Sequence, residues 1–179
     1  MKNILVFCGA KPGNDKEFTE KAYELGSYMA KNNLRLIYGG GKTGMMGAVA
    51  DGVLENGGTV IGIIPSFLKG MEIMHPNLTE LIEVETMHER KAKMEQMADA
   101  VVALPGGFGT LDEIFELLTW SQLGLHSKPL ALYNIKGYYD VLIVMMMQMV
   151  KNGFLNEEHY HILKVADNLN ELIEKLRMA

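Results

Sequence analysis

Short runs of β-branched and other apolar residues alternate along this chain with longer stretches whose apolar positions recur every three to four residues. The apolar runs predict strands at residues 4–7, 34–38, 60–64, 81–84, 100–104 and 130–133, with a weaker one at 162–165. The stretches between them predict helices at 15–32, 44–56, 86–98, 110–123, 138–152 and 168–177. Strands that alternate with helices form βαβ units, whose crossovers make neighbouring strands parallel. The expected class is therefore α/β, a doubly wound parallel sheet flanked by helices. No Ser/Pro-rich linker, repeat or low-complexity stretch divides the chain, so 1–179 reads as one domain.

Composition narrows this picture only slightly. The net charge of −5 leaves no basic surface for DNA or RNA, so a nucleic-acid partner is not expected. Cys8 is the single cysteine, which excludes an intramolecular disulfide and fits a reducing compartment. The apolar run after Met1 is too short for a signal peptide, and the longest run elsewhere, 141–147, is far below the roughly 18 residues that span a bilayer. A cytoplasmic protein with no membrane partner is the expectation.

The candidate chemistry gathers where strands end. In doubly wound sheets ligands bind beyond the carboxyl ends of the strands. The first strand runs into Cys8-Gly9-Ala10, the second into Gly39-Gly40-Gly41-Lys42-Thr43-Gly44 and the fifth into Pro105-Gly106-Gly107-Phe108-Gly109-Thr110. The second loop fits Gly-x-Gly-x-x-Gly through Gly39, Gly41 and Gly44, but no carboxylate ends the next strand to hold a ribose. Its Gly41-Lys42-Thr43 triplet suggests a P-loop, yet Leu36 stands where that motif needs its first glycine. Two readings stay open for this loop: tight turning and close packing, or ligand contact through residues such as Gly41. The third loop is sharper. Gly106, Gly107 and Gly109 leave backbone N–H groups unobstructed, and a helix N-terminus after them attracts a phosphate. Thr110 is expected to cap that helix, and Thr110-x-x-Glu113 fits a capping box, a structural use for Glu113 that competes with a chemical one.

On the helix expected from Thr86, Met87, Met94 and Met97 form an inward stripe, and Arg90 lies on it, three residues after Met87 and four before Met94. Lys93 faces outward, where it can pair with Glu89. An inward arginine needs an anionic partner, because burying its charge alone is costly. Arg90 follows the fourth expected strand and Glu113 the fifth, both near helix N-termini on one sheet edge, and they could meet there; a structural salt bridge or a snorkelling arginine is the competing use.

Pro105-Gly106-Gly107-Phe108-Gly109-Thr110-Leu111-Asp112-Glu113 resembles the PGGxGTxxE signature of the LONELY GUY (LOG) family. Met87-His88-Glu89-Arg90-Lys91 is similar to its arginine motif, and 39–47 to its glycine-rich second loop. The resemblance runs through nearly the whole chain. It implies a Rossmann-like fold, a homodimer, and a phosphoribohydrolase that releases the base from cytokinin riboside 5′-monophosphates and, in many members, from AMP. It implies Arg90 and Glu113 as the catalytic pair, with ligand contacts at Glu72, Lys91, Gly107, Phe108, Gly109, Thr110, Leu111, Asp112 and Thr119. Two departures stand out: Ala10 replaces a common serine, removing a hydroxyl from the first loop, and Met45-Met46 replaces the more usual Leu-Met.

Cleaving a C1′–N bond develops positive charge on the ribose, which a carboxylate such as Glu113 can stabilise while it orients or deprotonates water. Arg90 does not readily give up a proton, so its expected role is orientation. None of this requires a metal or an organic cofactor. His159-x-His161 would share one side of a strand but makes an incomplete metal site, and the Met145–Met147 run fits core or dimer interface. A nucleotide-binding or carrier protein that uses the same loops without catalysis is the alternative. A pyridoxal-phosphate decarboxylase is a weaker rival, because no Schiff-base lysine is evident.

Overall fold

The computed structural model describes residues 1–70 and 73–177. Strands β1 (Asn3–Phe7), β2 (Arg35–Tyr38), β3 (Val60–Pro65), β4 (Glu80–Val84), β5 (Ala100–Ala103), β6 (Leu130–Tyr133) and β7 (Leu163–Ala166) form one all-parallel sheet. Their order is β4-β3-β2-β1-β5-β6-β7. Winding proceeds outward in one direction from β1 to β4 and in the other from β5 to β7, so the order reverses between β1 and β5. A crevice opens at such a reversal because the connections on its two sides leave in opposite directions.

Among the described residues seven α-helices accompany the strands: α1 (Lys16–Lys31), α2 (Gly44–Leu54), α3 (Met87–Met97), α4 (Phe108–Gln122), α5 (Asp140–Lys151), α6 (Glu157–Tyr160) and α7 (Leu169–Arg177). Alternate strand residues face opposite sides and build two cores. Ile4, Val6, Leu36, Tyr38 and Val102 pack with α1, α2 and α7. Leu5, Phe7, Ile37, Ile63 and Val101 pack with α3, α4 and α5. The central strands, buried on both faces, are continuously apolar for that reason. Among the described residues no helix is long and apolar enough to cross a membrane.

Two expectations need correction. His159 lies in α6 and His161 directly follows it, so the two do not share one side of a strand; β7 begins two residues later. A helix of four residues carries too little periodicity to show in sequence. The other concerns the start of α4 and bears on the site.

Candidate active site

A cavity of about 450 Å³ opens at the β1/β5 reversal. It is lined by the ends of all the central strands and the helices that follow, including Cys8, Gly39, Phe67, Arg90, Gly107, Gly109 and Glu113.

Arg90 reaches it as its inward position requires. Thr86 caps α3 by accepting the Glu89 N–H at 3.1 Å, and the Glu89 carboxylate turns back to the Glu85 N–H at 2.9 Å. Arg90, one residue on, is 6% exposed. Its Nε donates to the carbonyl of Ile63 at 3.0 Å and its Nη2 to that of Gly39 at 3.2 Å. The guanidinium is thus pinned across the ends of β3 and β2. Gly39 makes this possible, since a Cβ there would lie 2.3 Å from Nη2. Neutral carbonyls orient the cation without cancelling it, and Asp112 and Glu113 line the same cavity.

The helix α4 starts two residues earlier than the sequence suggests. Its N-cap is Gly107, with no side-chain hydrogen bond, and its first helical bond runs from the Leu111 N–H to the Gly107 carbonyl. Thr110 is therefore the third helical residue, 97% buried, and not a cap. The Thr110–Glu113 capping box does not form. Glu113 sits in the second turn, beyond the reach of the cap position, so capping is not its role. The N–H groups of the first turn are left without a side-chain cap, and their dipole favours an anion.

The other expected contact residues divide. Asp112 lines the cavity and also takes the Lys91 ammonium at 3.2 Å. Lys91 does not line it; 11% exposed, it bridges α3 to α4 through Asp112 and Glu116, the latter at 3.0 Å. Burial works against that ammonium, but hydrogen bonds to Glu116 and Asp112 outweigh it and raise its pKa above the ordinary lysine value. Gly106 lines a second cavity behind the loop. Phe108 is 94% exposed, and Leu111 packs against the core beneath α4. Thr119 donates to the Phe115 carbonyl and faces a smaller cavity with Met146 and His159. Gly41 is held by a bridge to Met74 and by the Tyr38 hydroxyl at 3.1 Å, apart from the cavity lining. Glu72 lies outside the described residues.

Sequence reasoning missed Phe67, Leu68 and Met46 as site residues; with Val6, Phe7 and Met87 they make the apolar part of the lining. Phe67, exposed just past β3, obeys the same strand-end rule as the glycine loops and could have been found by it. Cys8 also lines the cavity. Desolvation raises its pKa strongly and the nearby Glu113 charge adds to this, so the thiol stays protonated and is no nucleophile. At Ala10, where the resemblance expects a serine, the backbone carbonyl accepts the Thr43 hydroxyl at 3.1 Å.

The fold defines a Rossmann-like α/β protein with a cavity at the topological switch point. The model of a family described as possible lysine decarboxylase matches residues 46–176. The probable cytokinin riboside 5′-monophosphate phosphoribohydrolase LOGL9 of Oryza sativa subsp. japonica is 43% identical over 98% of this chain and 77% of its own length. LOG1 of Arabidopsis thaliana, a cytokinin riboside 5′-monophosphate phosphoribohydrolase, is 43% identical over 98% of this chain and 82% of its own length. The chain belongs to the LOG family of cytokinin riboside 5′-monophosphate phosphoribohydrolases. The X-ray structure of TM1055 superimposes with a TM-score of 0.73 at 25% identity over 100% of both chains. The Moco carrier protein of Chlamydomonas reinhardtii also gives 0.73, at 20% identity over 99% of this chain and 96% of its own; this likeness shows the fold alone.

Proposed function

We propose that this chain hydrolyses the N-glycosidic bond of nucleoside 5′-monophosphates, cytokinin riboside 5′-monophosphate and AMP among them. Water adds at C1′, the C1′–N bond breaks, and free base and ribose 5-phosphate leave. The observation that carries this reading is the uncapped first turn of α4 opening on the cavity that holds Arg90 and Glu113. Gly107 and Gly109 support it. A Cβ at either would meet nothing within 4 Å, and neither has positive φ, so neither packing nor backbone conformation demands glycine there. An approaching phosphate does.

In this reading the α4 N–H groups anchor the phosphate, and that remote binding energy aligns C1′ at Glu113. The Glu113 carboxylate stabilises the developing ribosyl cation and takes a proton from the attacking water, whose OH bonds to C1′. The base nitrogen leaves with the bond's electron pair and takes up one proton, so that carboxylate and solvent together return the proton balance to zero. Arg90, fixed by two carbonyls, orients the carboxylate and the substrate. The base lies along Phe67, Leu68, Met87 and Met46. A lysine decarboxylase reading finds less support, because none of the described residues lining this cavity is a lysine able to form a Schiff base. The carrier reading shares the fold of the Moco carrier but leaves the Arg90–Glu113 pair without a task. Incubation with AMP and with adenosine tests the proposal. Free adenine and ribose 5-phosphate should appear, far faster from AMP; intact AMP would leave a binding protein, and equal rates would remove phosphate recognition.

The same reading includes a homodimer. Val141, Val144 and Met145 make an exposed apolar stripe on α5, with Met147 beside it, whereas Met146 is buried. Such a patch favours a covering partner, and self-association is the commonest. Sedimentation should give twice the 19.9 kDa chain mass; a single monomeric species at micromolar concentration contradicts it.

A further inference from the structure

We infer that Tyr138, outside every motif of the family signature, is a positioning residue that fixes the phosphate loop in its anion-accepting orientation. The inference rests on the reading of that loop as the phosphate anchor. Three consecutive carbonyls leave β5, and each is held by its own donor: Leu104 by the Tyr139 hydroxyl at 2.7 Å, Pro105 by the Gly9 N–H at 3.1 Å, and Gly106 by the Tyr138 hydroxyl at 2.6 Å. The third bond matters most. The 106–107 peptide joins two glycines, and such a unit rotates at little steric cost. In a trans peptide the C=O and the next N–H point in opposite directions. Tyr138 holds the Gly106 oxygen on the side of the second cavity. Gly107 lines both cavities, and its N–H is thereby turned away from the Tyr138 hydroxyl, toward the Arg90–Glu113 cavity. A flipped peptide would set a carbonyl oxygen against the phosphate instead.

The fold spends considerable constraint on this hydroxyl. Lys136, a non-glycine residue, has φ of 58° and Gly137 follows with φ of 70°. A left-handed lysine is held only where its surroundings over-determine it. Asn134, 5% exposed, accepts the Tyr139 N–H at 2.7 Å and donates to Asp140 and Asp167 at 2.8 and 3.1 Å. Lys136 pairs with Asp15 and Glu17, both at 3.1 Å. The Tyr138 ring stands edge-on to Phe18 and to Tyr139, with centroids 6.0 and 4.9 Å away. Tyr138 is nevertheless 46% exposed, so little of this constraint is repaid by burying the ring itself.

Tyr138→Phe removes the hydroxyl and keeps the ring contacts. Calorimetric titration with ribose 5-phosphate should show the wild-type protein binding and Tyr138→Phe binding about five- to tenfold more weakly, the scale of one hydrogen bond. KM for AMP should rise by the same factor with kcat within about twofold, and turnover of adenosine, which has no phosphate, should not change. Tyr139→Phe is the control. It frees the buried Leu104 carbonyl upstream of the glycines and should lower Tm by about 2–10 °C while leaving the ribose 5-phosphate Kd unchanged. Equal Kd values for Tyr138→Phe and the wild type overturn the inference while leaving the phosphate loop in place, and so does equal weakening by the two variants. A wild-type protein that does not bind ribose 5-phosphate overturns the phosphate-loop reading and this inference with it.

Discussion

The two glycine-rich loops, 39–47 and 105–110, look alike in sequence and are glycine-rich for opposite reasons. In the first, the space a side chain would need is already filled. A Cβ at Gly47 would lie 1.8 Å from the Lys42 carbonyl, one at Gly41 would strike Met46, and one at Gly39 would strike Arg90. Gly44 adds a φ of 62° with the Ala10 carbonyl 2.4 Å from its absent Cβ. In the second loop only Gly106 is crowded, by Thr110 and Gly9, while Gly107 and Gly109 face open space. The first loop is a packing device that seats the arginine. The second is a surface kept clear. Glycine count therefore says little about ligand contact until the volume around each Cα is known.

The sharpest way to break this contrast is at Glu113, behind the clear loop. Glu113→Gln keeps size and hydrogen-bonding capacity but removes the charge. We expect kcat to fall by about 10²–10⁴, with stability altered by about 1 kcal/mol at most, the common scale of a near-isosteric single substitution. Near-parental turnover of AMP by a folded variant would make Glu113 a structural residue and bring the second loop closer to the first.

Paired glycine substitutions sharpen the contrast directly. Gly47→Ala drives a methyl into backbone and should cost about 3 kcal/mol, or a Tm roughly 6–12 °C lower. Gly109→Ala fills open space at the second position of α4, where alanine favours helix by up to ~1 kcal/mol. Its Tm should stay level or rise, while KM for AMP climbs about tenfold as the methyl enters the phosphate's place. Thermal melts and steady-state kinetics on both variants decide this. Stability loss in Gly109→Ala with unchanged KM would erase the distinction between the loops.

The smallest effect tests whether the clear loop depends on the helix beneath it. The Lys91 pKa is raised in the folded protein, so its bridge stabilises fully below the ordinary lysine value and is lost as pH rises through the higher folded value. Lys91→Met should cost no more than about 1 kcal/mol. The Tm difference from wild type should be constant from neutral pH to about 10 and close only above the ordinary lysine pKa of roughly 10.4. A gap that closes near neutrality would assign the contribution to another group.

Much of the architecture was legible in the chain because periodicity is local. Seven strands and six helices stand within two residues of where the apolar runs and the three-to-four residue spacing put them, β7 being displaced by one residue. Arg90 could be placed inward because Met87 and Met94 bracket it on one helical face. The start of α4 was misjudged because Thr110 fits a cap by type, whereas helix geometry begins once Gly107 turns the chain, which needs no side chain.

The sequence by itself determined an α/β chain wound from βαβ units, with glycine loops at its strand ends and an arginine and a glutamate near one edge. These follow from local spacing and from the residue types that strands, turns and charges require. Tertiary structure alone decided the sheet order that reverses between β1 and β5, and with it the cavity that Arg90 and Glu113 share. It also separated Lys91, Gly41 and Thr119 from that cavity, showed which glycines are crowded and which are clear, and brought Tyr138 to Gly106 across 32 residues. Such facts depend on which distant surfaces pack together, and packing is a property of the whole chain that no local pattern encodes.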